Sequence, residues 1–391
     1  MKNNFVTILD FGSSKITCMA ASKVSDNGEF IIKAVGQSAY GGFSDSAFYE
    51  PDALPEAIRQ AVSQVERKMD CKIKEIFVGV PGAFSAMITS EASKTFHSKK
   101  KIDADDISEV LSNADIYKCD QDSIPLGGKP VYYFLDGFEK TYNPLGRIAS
   151  KLMVLVSFSY MKKYFRNMVA PVLLEMGVGN VYYVNTCEAQ AVYVTNAMFR
   201  DGYSIVIDVG YITTNVLLCG GKGLLFGRTF ALGAGYLASD LCQTLGCDFN
   251  MARLILEKVN LNLDIQKGDA YPVEGQMMDA SQTNAVIKAR IAQIAEYIKK
   301  SFSFCDKTIP SDTPIFLTGG GLSYIRGGVD CLSTELNNKP VILYNSVNPQ
   351  TNRNEYTSCY GLISEAIKSN PTPKKGILSF LKSIGIGKGD K

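Results

Sequence analysis

The chain has 391 residues, enough for two or more domains, and 46% of them are hydrophobic, enough for cores of ordinary size. A net charge of +2 offers no electrostatic attraction for a nucleic acid, so we predict no nucleic-acid partner. One histidine, His97, and ten cysteines without a CxxC pair argue against zinc sites and against hydrolases that need a histidine base.

The first part of the chain predicts a β-β-β-α-β order. Hydrophobic patterning indicates strands over 5–10, 16–22 and 30–38, with a hairpin turn at 25–28. A helix is expected from about Asp52 to Met69, because apolar residues recur there at helical spacing. The next predicted strand is 73–80.

A separate α+β unit is expected between about Phe84 and Tyr160, where the pattern changes. Its predicted elements are a strand over 85–92, a helix that begins near Ile102, a loop around Leu126-Gly127-Gly128, and strands over 131–140 and 152–159, with a turn at 142–146 between them.

The rest of the chain repeats the opening scheme. A helix over 161–176, a strand over 181–184 and a small-residue helix over 186–199 lead to a second strand meander. The later predictions are strands at 205–208, 216–219, 224–231, 314–318 and 341–343, helices from Gly235 and at 251–259, 285–304 and 355–368, and a loop with a short strand at 262–283.

Three segments, 8–15, 205–214 and 315–321, each end an apolar strand in a glycine-marked turn. The first two share an Asp-x-Gly pattern followed by hydroxyl-bearing residues. Glycine lets backbone N–H groups and hydroxyls close around phosphate oxygens, because it has no Cβ to block their approach. The candidate phosphate ligands are Gly12, Ser13, Ser14, Lys15, Gly210, Thr213 and Thr214.

The strand-end aspartates Asp10 and Asp208 are placed to hold a water-shelled Mg²⁺, and they are also the candidate catalytic residues. Gly319, Gly320 and Gly321 carry no side chains and can lie flat against a nucleoside. One such turn alone is ordinary turn chemistry. Three in this order favour a two-lobed nucleotide clamp for ATP and Mg²⁺.

This order of motifs resembles the actin-like ATPase superfamily, and with the inserted unit the chain resembles the bacterial FtsA family. Residues 9–16 are similar to the family's opening motif, and 34–43 to its next glycine-rich segment. Asn143-Pro144-Leu145-Gly146 matches a motif of the family's inserted subdomain. Segments 206–214 and 317–321 match the two later loops.

The resemblance implies an α/β fold of two actin-like (ribonuclease H-like) lobes, with an inserted α+β subdomain of the SHS2 type and a C-terminal amphipathic helix. It places Gly233 and Gly235 beside the nucleotide, and Arg253 and Glu257 are candidates for the adenosine pocket. The expected division is 1–83 and 161–200 for the first lobe, 84–160 for the inserted subdomain, 201–368 for the second lobe and 369–391 for a linker and membrane-targeting tail.

By the same resemblance the chain is expected to self-associate and to link the FtsZ division ring to the cytoplasmic face of the plasma membrane. Its partner would be the C-terminal tail of FtsZ, bound by the second lobe. A PilM-like scaffold of a pilus or secretion assembly is the alternative. A sugar or acid kinase of the same superfamily would need a catalytic aspartate base and a substrate pocket, and the sequence has no signature of either.

The second phosphate loop departs from the family pattern at three positions. Tyr211 and Ile212 replace glycines, and Asn215 replaces an aspartate. A tyrosine there must either crowd the phosphates or turn outward, and the lost acidic group weakens the handling of metal or water. We therefore expect ATP binding with at most weak hydrolysis, and complete loss of nucleotide binding is the alternative.

A short proline-containing spacer, 369–373, precedes a basic amphipathic segment. At helical spacing its apolar face holds Ile377, Leu378, Phe380, Leu381 and Ile384, and its polar face includes Lys375 and Lys382. Such a helix is typical of attachment to an anionic membrane surface. A helix docked on the body or on a partner protein is the alternative.

Overall fold

The computed structural model describes residues 5–24, 29–115, 121–195, 197–346 and 349–369. The predicted hairpin turn at 25–28 and the predicted membrane helix lie outside these ranges. No helix in the described ranges is long and apolar enough to cross a bilayer.

The elements up to residue 195 form two large sheets, a small two-stranded sheet (residues 43–48) and helices. They are β1 (Val6–Phe11), β2 (Lys15–Lys23), β3 (Phe30–Ala39), β4 (Phe43–Ser44), β5 (Ala47–Phe48), α1 (Leu54–Met69), β6 (Glu75–Val80), β7 (Ser85–Lys101), α2 (Ala104–Ala114), β8 (Ser123–Leu135), β9 (Glu139–Thr141), β10 (Ile148–Lys162), α3 (Lys163–Glu175), β11 (Asn180–Asn185) and α4 (Thr186–Val194).

The later elements form a third large sheet, a small two-stranded sheet and further helices, of which the last packs on the sheet that contains β1. They are β12 (Tyr203–Val209), β13 (Thr214–Gly220), β14 (Gly223–Phe230), α5 (Gly235–Leu245), α6 (Phe249–Lys258), β15 (Ala270–Val273), β16 (Gln276–Asp279), α7 (Ala280–Phe302), β17 (Ile315–Thr318), α8 (Gly328–Glu335), β18 (Val341–Leu343) and α9 (Thr357–Ser369).

Two five-stranded sheets have the same topology and define two lobes. The first-lobe order is β11-β6-β1-β2-β3, and the second-lobe order is β18-β17-β12-β13-β14. In both, an antiparallel meander is extended by two parallel strands. Asp10 and Asp208 are each the residue before the last of the first meander strand, so the two lobes present equivalent carboxylates.

Apolar strands with both faces covered explain the two lobe cores. Five of the six residues of β1 are buried, which is typical of a strand packed on both faces. Helix α1 buries a stripe that includes Leu54, Ile58 and Val62 against this sheet. In the second lobe, α7 buries Ile287 and Ile291 in the same way.

The predicted α+β unit contains a four-stranded sheet of order β7-β10-β8-β9, covered on one face by α2. A capping box between Asp103 and Asp106 begins this helix. On the other face of the sheet, Val131 and Leu155 are part of the second-lobe core. The inserted sheet is therefore fixed to the second lobe as well as to the first.

Several predicted elements differ from the structure. The predicted strand 131–140 is interrupted by a turn at 136–138 between β8 and β9. The expected loop at Leu126-Gly127-Gly128 lies inside β8, because a register shift and the positive φ of Gly127 (+122°) let glycine continue the ladder, and the Phe158 ring covers Gly128. Helix α4 ends at Val194, since Thr195 is extended. Segment 262–283 contains the hairpin β15–β16, and α7 begins at Ala280.

Candidate functional site

The first two glycine-marked turns and part of the third face each other across a cavity of about 240 Å³ between the lobes. Its walls come from the ends of β1, β12 and β17 and from the first turns of α4 and α9. Of the predicted residues, the cavity is lined by Asp10, Gly12, Ser13, Ser14, Lys15, Asp208, Gly210, Thr213, Gly319 and Gly320.

Asp10 is buried at this cavity and uses only one of its carboxylate oxygens. Its Oδ2 accepts hydrogen bonds from Ser358 Oγ at 2.7 Å and from Cys359 Sγ at 3.5 Å. Its Oδ1 is buried without a hydrogen-bond partner. Burial raises the pKa of Asp10, and the two hydrogen bonds oppose that rise. The free oxygen can accept a donor or a cation from the cavity.

Asp208 is the equivalent carboxylate of the second lobe. Its Oδ2 accepts a hydrogen bond from Asn215 Nδ2 at 3.0 Å. Burial, together with the negative charge of Asp10, raises the pKa of Asp208 to about 6. The two carboxylates therefore lie close enough to disfavour each other's ionisation.

The chemistry of Asp10 and Asp208 suits a divalent cation. A buried free oxygen on Asp10 and the mutual repulsion with Asp208 would both be relieved by Mg²⁺. Among the described residues, no group of three or more His, Cys, Asp or Glu is placed to hold a metal. The carboxylates fit a cation that keeps most of its waters, as Mg²⁺ does.

The first loop is held by hydrogen bonds of its own backbone. Gly12 N–H donates to Lys15 O at 3.0 Å, and the Tyr40 hydroxyl donates to Gly12 O at 2.7 Å. The Lys15 ammonium lies 5.0 Å from the centre of the Tyr356 ring. This cation–π contact holds the predicted phosphate-binding lysine near the last helix.

The second loop contacts the first directly. Ile212 N–H donates to Ser13 Oγ at 2.9 Å, a hydrogen bond that joins the two lobes. Thr213 lines the cavity, and its carbonyl accepts a hydrogen bond from Gly210 N–H at 2.9 Å. Thr214 is fully buried and donates to Leu232 O at 2.6 Å, so it supports the loop from behind.

Asn215, which differs from the family pattern, bridges two side chains. Besides its bond to Asp208, its Oδ1 accepts a hydrogen bond from Thr229 Oγ1 at 2.7 Å. An aspartate here would place a second negative charge about 3 Å from a buried carboxylate. The neutral amide is therefore compatible with Asp208 in either protonation state.

In the third loop, Gly319 requires glycine. Its φ is +94°, and a Cβ there would lie 2.3 Å from Asp208 Oδ1. Gly320 faces Glu355, while Gly321 donates its N–H to Val209 O at 2.8 Å and packs on the second loop. The backbone that follows β17 therefore lies close to the end of β12 and forms part of the cavity wall.

Besides Gly321, four residues predicted on the adenosine side do not line the cavity. Gly233 and Gly235 pack against the backbone of Tyr211, and Gly235 N–H donates to Tyr211 O at 2.7 Å. Arg253 and Glu257 are exposed on α6. Burial raises the pKa of the Tyr211 phenol, and the positive charge of Arg253 opposes that rise.

Residues of α4 and α9 in the cavity wall were not predicted from the sequence. Ser358 and Cys359 bond to Asp10, and Gln190 Nε2 donates to Thr357 Oγ1 at 2.9 Å. Thr186 lines the cavity with a buried hydroxyl oxygen that has no hydrogen-bond partner. In the sequence, the polar first turn of each of these two helices was the feature that could have identified them.

A second cavity of about 360 Å³ adjoins the first. Both are lined by Gly82, Cys187 and Thr213, and the second extends between the β4–β5 hairpin and β14. Arg228, from β14, lines it and also stacks on Phe304 with its guanidinium 3.7 Å from the ring centre. The space between the lobes therefore continues past the phosphate loops.

No family model matches the chain, but individual proteins do. It is 26% identical to the cell division protein FtsA of Streptococcus pneumoniae over 337 residues, which are 82% of this chain and 71% of that protein. It is 26% identical to FtsA of Enterococcus faecalis over 360 residues, which are 86% of this chain and 77% of that protein. The resemblance to FtsA predicted from the motifs is confirmed.

Solved structures show the same fold. A PilM–PilN type IV pilus biogenesis complex superposes with a TM-score of 0.63 at 16% identity, covering 93% of this chain and 98% of that one. MreB 5 of Spiroplasma citri bound to AMPPNP superposes with a TM-score of 0.56 at 10% identity, covering 95% and 98%. The predicted two-lobed actin-like fold is confirmed.

Proposed function

Because the chain is related to the FtsA proteins, we propose that it is an actin-like scaffold of bacterial cell division. In this proposal it binds ATP, self-associates and tethers FtsZ, through the FtsZ C-terminal tail, to the cytoplasmic face of the membrane at the division site. The observation that carries the proposal is similarity to FtsA over 82–86% of the chain, with the actin-like fold around an interlobe cleft. The domain boundaries given above are part of the proposal.

The nucleotide would lie between the two carboxylates and the third glycine turn. Asp10 and Asp208 would hold Mg²⁺ through its waters, and hydroxyls and N–H groups of the first two loops would contact phosphate. Mg²⁺ would neutralise phosphate charge when bound. Asn215 is neutral and already hydrogen-bonded to Thr229, which supports slow hydrolysis or none.

A melting experiment tests nucleotide binding. A ligand that binds only the folded state raises the melting temperature, so millimolar Mg-ATP should stabilise the purified chain. Asp10→Ala should reduce that shift, because the carboxylate is part of the proposed metal site. An exposed carboxylate away from the cleft supplies the control, Asp312→Ala, which should keep the full shift. No shift in wild type would contradict nucleotide binding.

Depletion in the host tests the cellular role. Undivided, filamentous cells are the expected result. Lost surface motility with normal division would instead favour the PilM-like alternative, which needs no amphipathic tail. The fold alone does not distinguish the two, since the PilM complex shares it.

A further inference from the structure

The aromatic ring of Tyr211 lies directly over the start of α5. A Cβ added to Gly235 would come within 2.9 Å of the ring atoms Cε2 and Cζ, so the ring rests on the bare backbone of that glycine. Gly235 N–H also donates to Tyr211 O at 2.7 Å, which fixes the loop beneath the ring. Tyr211 is 42% exposed and lines the interlobe cavity, so the residue is open to the space between the lobes.

Tyr211 marks one edge of the cavity wall. Tyr211 lines the cavity of about 240 Å³, whereas Gly235, against which it packs, does not. Arg253, whose charge acts on the Tyr211 phenol, is also outside the wall. The side chain therefore stands between the carboxylate end of the cleft and two of the residues predicted on the nucleoside side, Gly235 and Arg253.

We propose that Tyr211 fills the nucleoside end of the cleft, so that a nucleotide binds only when its nucleoside displaces the ring. This inference rests on the proposed nucleotide site and makes Tyr211 its specificity-determining residue. A tyrosine turns about two side-chain bonds, so the ring can leave Gly235 without moving the loop. It then loses its contacts with that backbone, and the loss weakens nucleotide binding.

Although Tyr211 belongs to the second phosphate loop, we expect its ring to act on the nucleoside and not on the phosphate chain, because the ring packs toward α5. Asp10, Ser13 and Lys15 belong to the first lobe, whereas the Tyr211 ring packs on Gly235 at the start of α5 in the second lobe. Inorganic tripolyphosphate carries the charge of the phosphate chain without a nucleoside. Its binding should therefore be independent of the ring, and a comparison with ATP separates the two ends of the site.

Calorimetric titration of the full chain with Mg-ATP and with Mg-tripolyphosphate tests the proposal. Tyr211→Ala should bind ATP about tenfold more tightly than wild type, with tripolyphosphate affinity changed less than about twofold. Tyr211→Phe keeps the ring and should lack the gain. Phe249→Ala removes an aromatic ring that is also 42% exposed, on α6, and should lack it too.

Equal ATP affinity in wild type and Tyr211→Ala, while tripolyphosphate binds both, would overturn the role of the ring and leave the phosphate site intact. A parallel gain for both ligands would overturn it as well, because the change would then act on the phosphate end. No binding of either ligand by either protein would overturn both this inference and the proposed nucleotide site. Tyr211→Leu, which retains an apolar contact with Gly235 but is smaller, replaces the alanine variant if that one does not fold.

Discussion

Asp208 shows how one buried side chain can make stability depend on pH. Its pKa is about 6 in the folded protein, above the ordinary 3.8, because it is buried beside Asp10. Between these two values the folded chain holds a proton that the unfolded chain has released. Stability from this group is therefore present below about pH 3.8 and is lost as the pH rises through about 6.

As the pH rises from about 3.8 to about 6, we expect wild-type protein in metal-free buffer to lose up to about 3 kcal/mol of unfolding free energy through Asp208. Asp208→Asn mimics the protonated acid and can still accept the hydrogen bond from Asn215. The difference in melting temperature between the two proteins should therefore grow from pH 4 to pH 6.5. A constant difference would contradict the raised pKa, and added Mg²⁺ should reduce the effect by stabilising the ionised pair.

The same pair shows what sequence reasoning can reach at this scale. Asp10 and Asp208 could be predicted, because each lies near the end of a buried strand and begins a local Asp-x-Gly pattern. The Ser358 bond to Asp10 joins residues 348 positions apart, and no local pattern carries that information. Tyr211 could be identified as unusual, but whether its ring crowds the phosphates or covers Gly235 depends on α5.

At the scale of elements, α9 connects the cleft to the inserted sheet. In its first turn, Ser358 donates a hydrogen bond to Asp10. Two turns later, Glu365 forms an ion pair with Lys129 of β8 at 2.8 Å. Lys129 also lies 3.7 Å from Glu188 of α4. Burial raises the pKa of Glu188, with Lys129 opposing that rise, so one half-buried ammonium holds two carboxylates from two helices.

Lys129→Met keeps the apolar stem and removes the charge, leaving Glu188 and Glu365 to repel each other. We expect a loss of about 2 kcal/mol in unfolding free energy, between the values of exposed and buried ion pairs. Urea denaturation measures it. Arg59→Met breaks an ion pair with Glu175 in which both side chains are exposed, and should cost under about 1 kcal/mol. Equal losses would contradict a joining role for Lys129.

Element types could mostly be predicted from periodicity, and the errors share one physical cause. Glycine at 127 and 128 is a loop signal in isolation, but in the sheet the Phe158 ring fills the space where a side chain at position 128 would be. The small residues after Thr186 are compatible with a longer helix, yet Thr195 is extended and its Oγ1 donates back to Ala191 O at 2.7 Å. In both cases tertiary packing decides between two locally acceptable conformations.

At the scale of the whole molecule, two lobes of identical sheet order meet at a cleft. The proposed function also requires the chain to bind a membrane surface. The segment that would supply this binding, Lys374–Lys388, lies outside the described residues, so the expectation rests on sequence. Burying its five apolar side chains at the headgroup boundary should release several kcal/mol, at about 25 cal/mol per Å². Ordering the segment offsets much of this gain, so one copy should bind weakly and polymerised copies more tightly.

Co-sedimentation with vesicles tests this attachment directly. The full chain should pellet with anionic vesicles, and less so in high salt, because the proposed attachment would bring Lys375 and Lys382 close to the headgroups. Phe380→Gln with Leu381→Gln removes apolar area without changing charge and should abolish pelleting, as should a chain that ends at Asn370. The matched change on the polar face, Ser379→Gln with Ser383→Gln, should retain it. Equal pelleting of all four proteins would contradict the tether. Loss of pelleting only in the apolar-face variant and the truncated chain, with melting temperature and the response to Mg-ATP unchanged, would assign membrane attachment to this segment.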